Sequence, residues 1–100
     1  MRRLLSVTET RPPAAFATDK PWRLSPNVAL RDESFGALAY HYGNRRLVFL
    51  KSRPLVTLVQ SLHEYPSADA ALVDLILEAQ RPAYARALAR LAVAEVIDAC

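Results

Sequence analysis

The sequence predicts an α+β domain in which a three-stranded antiparallel sheet is followed by three helices, in the manner of a winged helix-turn-helix. Apolar residues alternate with a period of two between residues 27 and 51, and from residue 52 they recur with a helical period. Pro66 and Pro82 divide the helical part into three. The 100 residues, 52% of them hydrophobic, suffice for one small domain.

The N-terminal part differs in composition from the rest. Residues 1–21 contain Pro12, Pro13 and Pro21 and show no sustained period, so we expect a flexible N-terminal tail followed by a domain over residues 22–100. Polar residues interrupt the apolar start before it reaches the length of a secretion signal. Charged residues also break every stretch that approaches the ~20 apolar residues of a membrane span.

The first two predicted strands lie between the tail and Gly43. Val28 and Leu30 alternate with small or polar neighbours, which is typical of a half-buried strand, and residues 32–34 are expected to turn the chain. The second run, residues 35–42, has small side chains on one side, under which a helix can pack closely. Gly43-Asn44 then predicts a two-residue II′ turn, so that residues 40–50 form a hairpin.

The third run ends in residues 47–50 (LVFL), which are apolar on both faces and are expected to form an edge strand. An edge of this kind is an aggregation hazard in isolation and a natural site for an extended peptide to pair with. Arg45, Arg46 and Lys51 flank the run. They can protect the edge against self-pairing or attract acidic residues of a partner, and the sequence leaves both open.

Three helices are predicted after the sheet. Ser52 is placed to cap the first, whose apolar stripe is Leu55, Leu58, Val59 and Leu62. Ser67 is expected to start the second, with Asp69 placed to complement the helix dipole. The third is expected from Pro82 to about Asp98 and is apolar over a wide arc. One flank of this helix can wall a groove beside the third strand, and it contains Tyr84, Leu88 and Leu91.

No constellation of residues predicts an enzyme. Gly36 and Gly43 are the only glycines, so the sequence contains no glycine-rich phosphate-binding loop. His41 and His63 have no cysteine or carboxylate at metal-ligand spacing. We therefore expect no catalysis, cofactor or metal. The single cysteine, Cys100, excludes an intrachain disulfide and favours a cytoplasmic location.

Two other binding functions stay open on the sequence alone. The net charge of +3 and the predicted topology are compatible with a winged-helix DNA-binding protein, although a reading helix should present Arg, Lys, Asn or Gln, and the third helix offers mainly Arg86 and Arg90. Alternatively, the edge strand could pair with its own copy and form a homodimer.

The strand region carries a family resemblance, in residues 22–26 (WRLSP), 30–38 (LRDESFGAL), 40–47 (YHYGNRRL) and 49–52 (FLKS). In these residues the sequence resembles the mycofactocin-system peptide chaperones, which are similar to the peptide chaperone of pyrroloquinoline quinone biosynthesis. The resemblance covers about residues 22–97, is specific in the strands and generic in the helices. Many members of the wider superfamily have a glycine near the end of the last helix, whereas this chain has none after Gly43.

The resemblance implies a non-catalytic domain that binds a ribosomally made precursor peptide and presents it to a radical S-adenosylmethionine maturase. In the superfamily the peptide lies along the third strand and beside the third helix. The peptide-binding residues implied here are Arg46, Leu47, Val48, Phe49, Leu50, Lys51, Tyr84, Leu88 and Leu91.

Overall fold

The structure is a computed structural model and describes residues 16–100. Within these residues the chain forms five strands and three α-helices. The strands are β1 (Trp22–Leu24), β2 (Val28–Glu33), β3 (Gly36–His41), β4 (Leu47–Leu50) and β5 (Ile97–Ala99), and the helices are α1 (Arg53–Ser61), α2 (Ala68–Leu75) and α3 (Arg81–Val93).

The predicted α+β class is confirmed. The central sheet has the order β2-β3-β4, and both pairs of neighbouring strands are antiparallel. Side chains on one face of this sheet are buried with the apolar residues of the three helices, and those on its other face are half-buried or exposed. Buried Ala37 and Ala39 of β3 provide the small residues under which the helices pack.

The first two helices begin where the sequence predicts. The Ser52 hydroxyl accepts a hydrogen bond from the Leu55 amide at 3.1 Å, and the Ser67 hydroxyl accepts one from the Ala70 amide at 3.1 Å. Each serine thus satisfies one of the amides that a helix N-terminus leaves without a partner. The predicted apolar stripe of α1 is entirely buried: Leu55, Leu58, Val59 and Leu62.

The third helix is shorter than predicted, because it ends at Val93 and not near Asp98. Glu95 has a φ of 66°, and the Val96 amide donates to the Leu91 carbonyl at 2.9 Å. A left-handed residue after the last helical turn ends a helix in this way, and glycine is the residue preferred there. The periodic apolar pattern continues through Val96 and Ile97 because both are buried beyond the helix.

The two ends of the domain pair with each other, which the sequence analysis missed. β5 is antiparallel to β1 in a second, two-stranded sheet, with Arg23 opposite Asp98. Just before β1, the Thr18 and Lys20 carbonyls accept hydrogen bonds from amides at the start of α2. The folded region therefore includes residues 16–21, which we assigned to the tail; residues 1–15 lie outside the described residues.

Both turns of the central sheet differ from the prediction. Asp32 and Glu33 belong to β2, and the chain turns at residues 34–35, where Gly36 has a φ of 149° and a side chain would clash with the Leu50 carbonyl. The β3–β4 loop is also longer than two residues. The Arg45 amide donates to the His41 carbonyl at 2.8 Å, and the left-handed residue is Arg45, with a φ of 63°, not Gly43.

Candidate functional site

The candidate site is the outer edge of β4. Among the described residues, β4 pairs with β3 alone, so its other side forms an edge of the central sheet. The predicted edge strand is therefore present in the described part of the chain, over Leu47–Leu50.

The register identifies which backbone groups of β4 point outward. The His41 amide donates to the Arg46 carbonyl at 3.0 Å, which makes these residues a hydrogen-bonded pair. Such pairs alternate along an antiparallel ladder, so the next bonded pair is Ala39 with Val48. The backbone groups of Val48 therefore point to β3, whereas those of Leu47 and Phe49 point away from the sheet.

Helix α3 lies alongside β4 and runs in the opposite direction. At one end, the hydroxyls of Tyr84 and Ser52 are 3.0 Å apart, which joins the first turn of α3 to the second residue after β4. At the other end, the Asn44 side-chain amide donates to the Ala94 carbonyl at 3.4 Å and to the Glu95 carboxylate at 3.2 Å. Two connections at opposite ends fix the helix beside the edge.

The predicted peptide-binding residues of the strand divide between the two sheet faces. Leu47 and Phe49 are 58% and 57% exposed and lie on the face away from the helices. Val48 is half-buried and Leu50 is buried on the face that packs on the helices. Arg46 and Lys51, which flank the strand, are both exposed. The strand therefore offers exposed side chains mainly on its outer face.

The helix residues assigned to the site lie differently from the prediction. Leu88 and Leu91 are buried in the core, so these two side chains do not line an open groove. Tyr84 lies on the same flank and is half-buried, and its hydroxyl contacts the hydroxyl of Ser52. The flank that we expected to wall the groove is thus the one that attaches α3 to the rest of the domain.

The exposed surface of α3 is on its opposite side. It forms an open depression of about 330 Å³ whose lining, among the described residues, consists of Arg86, Ala89, Arg90 and Val93. The sequence contained the signal for this surface, because these positions recur at i, i+3, i+4 and i+7 and combine small or apolar residues with two arginines.

A second surface is the outer sheet face, of which the sequence analysis assigned only Leu47 and Phe49 to the site; we define it as Phe35, Leu38, Tyr40, Tyr42, Leu47 and Phe49. Phe35 and Tyr42 are 42% and 60% exposed. The rings of Phe35 and Phe49 have centroids 5.7 Å apart, and those of Tyr40 and Tyr42 are 5.4 Å apart. The period of two in residues 38–42 already placed three of these side chains on one side of the strand.

Basic side chains lie at both ends of the edge. Arg45 and Arg46 precede β4, Lys51 follows it, and all three are exposed. The ion pairs found among the described residues involve other side chains, namely Arg31 with Glu33, Arg53 with Asp32, and His63 with Glu64. The edge is therefore flanked by positive charge that can attract an acidic partner.

His41 has a structural role in the loop before the edge. Its side chain is buried, and Nδ1 accepts hydrogen bonds from the amides of Gly43 and Asn44 at 2.9 and 3.1 Å. These bonds hold the β3–β4 loop against the strand. Within residues 16–100, no group of three or more His, Cys, Asp or Glu residues is arranged to hold a metal ion.

Comparison with known proteins gives one family. The model of the peptide chaperone MftB family matches residues 21–98. Similar proteins include the peptide chaperone MftB of Mycolicibacterium smegmatis, 43% identical over 81% of this chain and 80% of that protein, and that of Mycobacterium ulcerans, 45% identical over 71% and 69%. The protein of the same name from Mycobacterium tuberculosis is 55% identical over 51% of this chain and 47% of that protein.

No solved structure matches the chain significantly. In the part of the chain that is described, no helix has the length and apolar character needed to cross a bilayer.

Proposed function

This chain belongs to the peptide chaperone MftB family, and we propose that it binds the mycofactocin precursor peptide as a strand added to β4 and presents the peptide to a radical S-adenosylmethionine maturase. The observation that carries the proposal is the open edge of β4 beside α3. A peptide chaperone is not an enzyme, in agreement with the sequence analysis. The family description also favours peptide binding over the DNA-binding alternative.

The edge has the donors and acceptors that strand addition requires. The outward backbone groups of Leu47 and Phe49 can each pair with a guest backbone, and each such hydrogen bond contributes about 0.5–1.5 kcal/mol net. Guest side chains that point to the inner face would lie next to the half-buried Val48. After the entropic cost of ordering the peptide, these terms are compatible with roughly micromolar affinity.

Binding of this strength suits a protein that hands its ligand to another. The chemistry belongs to the maturase, for which the exposed side of α3 provides a separate surface that a bound peptide would leave free. A cytoplasmic location also remains part of the proposal and is supported by the single cysteine.

Calorimetric titration of the folded protein with purified precursor tests the proposal. We expect one peptide to bind per chain with a Kd of roughly micromolar order. If no binding is seen up to high micromolar peptide, either alone or with maturase added, the proposed function is wrong. Retention of duplex DNA that falls steeply with added salt would favour the DNA-binding alternative instead.

Self-pairing of the edge is tested on the same samples. Light scattering of the protein without peptide reports whether two copies associate. If the dimer uses the β4 edge, added precursor competes for that edge and should convert the dimer to a peptide-bound monomer.

A further inference from the structure

We infer that the outer sheet face reads every second side chain of the guest peptide, and that it selects guests with two apolar or aromatic residues spaced two positions apart. The inference rests on the proposed function, because it presupposes a peptide paired with β4. It assigns a specificity role to side chains on the side of the sheet opposite to the helices.

The first step follows from the geometry of β4. Leu47 and Phe49 have both their backbone groups directed to the open edge and their side chains on the outer face. Lateral neighbours in a sheet have their side chains on the same face, whether the strands are parallel or antiparallel. A guest paired with this edge therefore places alternate side chains beside Leu47 and Phe49 in either orientation.

Leu47 and Phe49 each belong to a cluster that contains aromatic side chains. Phe49 contacts Phe35 at a centroid distance of 5.7 Å, which makes one aromatic cluster. Leu47 is opposite Tyr40, and the rings of Tyr40 and Tyr42 have centroids 5.4 Å apart. These three residues make the second cluster. Because Leu47 and Phe49 are two residues apart, two guest side chains with the same spacing meet one cluster each.

The outer sheet face is accessible to a guest peptide. Four members of the outer face are between 42% and 60% exposed, although the helices bury the opposite side of the same strands. Aromatic side chains that remain exposed together mark a binding surface more often than isolated apolar residues do. Since this surface is continuous with the open edge, one extended peptide can occupy both.

Charge indicates the composition of the guest beyond the two apolar residues. Arg45 and Arg46 lie at one end of the edge and Lys51 at the other, and all are exposed. A guest with acidic residues outside the apolar pair would place them near these cations. The inferred guest is therefore an extended peptide with an apolar pair at i and i+2 and acidic flanks.

The test compares affinities for the purified precursor by calorimetry. Phe49→Thr and Phe35→Thr remove aromatic side chains of one cluster, and threonine retains β-propensity at residue 49. Each variant should bind about tenfold more weakly, which corresponds to ~1.4 kcal/mol. Leu77→Thr is a control, because Leu77 is 73% exposed and lies between α2 and α3, outside the outer face; its affinity should stay within about twofold of the wild type.

The outcomes separate the two proposals. If the wild type binds the precursor and both phenylalanine variants bind equally well, the specificity role is wrong and the proposed function stands. If the wild type does not bind, both are wrong. Phe35 lies in a turn and not in β4, so Phe35→Thr tests the specificity role even if Phe49→Thr does not fold. An alanine scan of the precursor should show losses at alternate positions, and a scan without alternation would also contradict the inference.

Discussion

The side-chain amide of Asn44 donates a hydrogen bond to the Glu95 carboxylate at 3.2 Å and thereby connects the β3–β4 loop to the residue that ends α3. Both sides of this contact involve left-handed backbone, at Glu95 itself and at Arg45 next to Asn44. Together with the contact between Ser52 and Tyr84, it fixes α3 beside the open edge. Polar contacts thus join α3 to the chain on both sides of β4.

Glu95→Gly should stabilise the protein. Left-handed backbone costs a non-glycine residue roughly 1–2 kcal/mol, and glycine adopts it freely. Loss of an exposed hydrogen bond and greater freedom of the unfolded chain offset part of this gain, so we expect a net increase of about 0.5 kcal/mol in the free energy of unfolding in urea. The control Glu95→Ala retains the strain and should be less stable than wild type. A glycine variant no more stable than the alanine variant would contradict this account.

The contact between Ser52 and Tyr84 can be measured by a double-mutant cycle. Tyr84→Phe removes a single hydrogen bond and should cost about 0.5–1.5 kcal/mol. Ser52→Ala also removes the cap of α1 and should cost about 1–2 kcal/mol. The double variant should lose less unfolding free energy than the sum of the two single losses, by about 0.5 kcal/mol or more, because both single variants remove the same bond. Strict additivity in urea unfolding would show that the bond does not contribute.

Tyr65 should titrate at unusually high pH. Its hydroxyl donates to the Asp74 carboxylate at 2.5 Å, and this bond, with smaller effects of burial and of the charges of Asp74 and Glu64, raises the pKa of Tyr65 above its ordinary value of about 10. Because the folded-state pKa exceeds the unfolded one, the bond adds stability below a pH of about 10, and this contribution is lost as the pH rises through the folded-state pKa.

The titration of Tyr65 can be followed by NMR of its ring signals. Asp74→Asn removes the carboxylate and should return the pKa of Tyr65 towards its ordinary value. If the ring signals of Tyr65 titrate at the same pH in the wild type and in this variant, the bond to Asp74 has no influence on the hydroxyl.

A pair of proline substitutions distinguishes the two sides of β4. Val48→Pro removes an amide that points to β3 and should unfold or strongly destabilise the sheet. Leu47→Pro removes an outward amide at the first residue of the strand, where proline is tolerated, so this variant should fold but bind the precursor about tenfold more weakly. Circular dichroism and calorimetry report the two effects. If Val48→Pro folds normally while Leu47→Pro does not, the assigned register is wrong.

Local signals in the sequence were sufficient for most of the fold. The period of two, the change to a helical period, the cap at Ser52 and the helix start at Ser67 each depend on nearby residues, and the structure confirms them. The end of α3 was not predictable in this way. Glu95 has a left-handed backbone conformation, for which a sequence usually has glycine. Val96 and Ile97, which are buried, continue the apolar pattern beyond the helix.

Long-range pairing accounts for what the sequence analysis missed. The sheet formed by β1 and β5 joins residues more than seventy positions apart, and each strand is only three residues long. The burial of Leu88 and Leu91 depends on how α3 rotates about its axis, which follows from its packing against the core formed by distant parts of the chain. By contrast, the edge strand was predictable, because four apolar residues follow a hairpin loop and precede a helix cap.

Amide hydrogen exchange at single-residue resolution, with and without saturating precursor, tests most directly whether β4 accepts a guest strand. The amides of Leu47 and Phe49 should exchange fast in the free protein and become protected on binding, whereas the Val48 amide should be protected in both states. Precursor binding that leaves Leu47 and Phe49 unprotected would contradict strand addition at this edge.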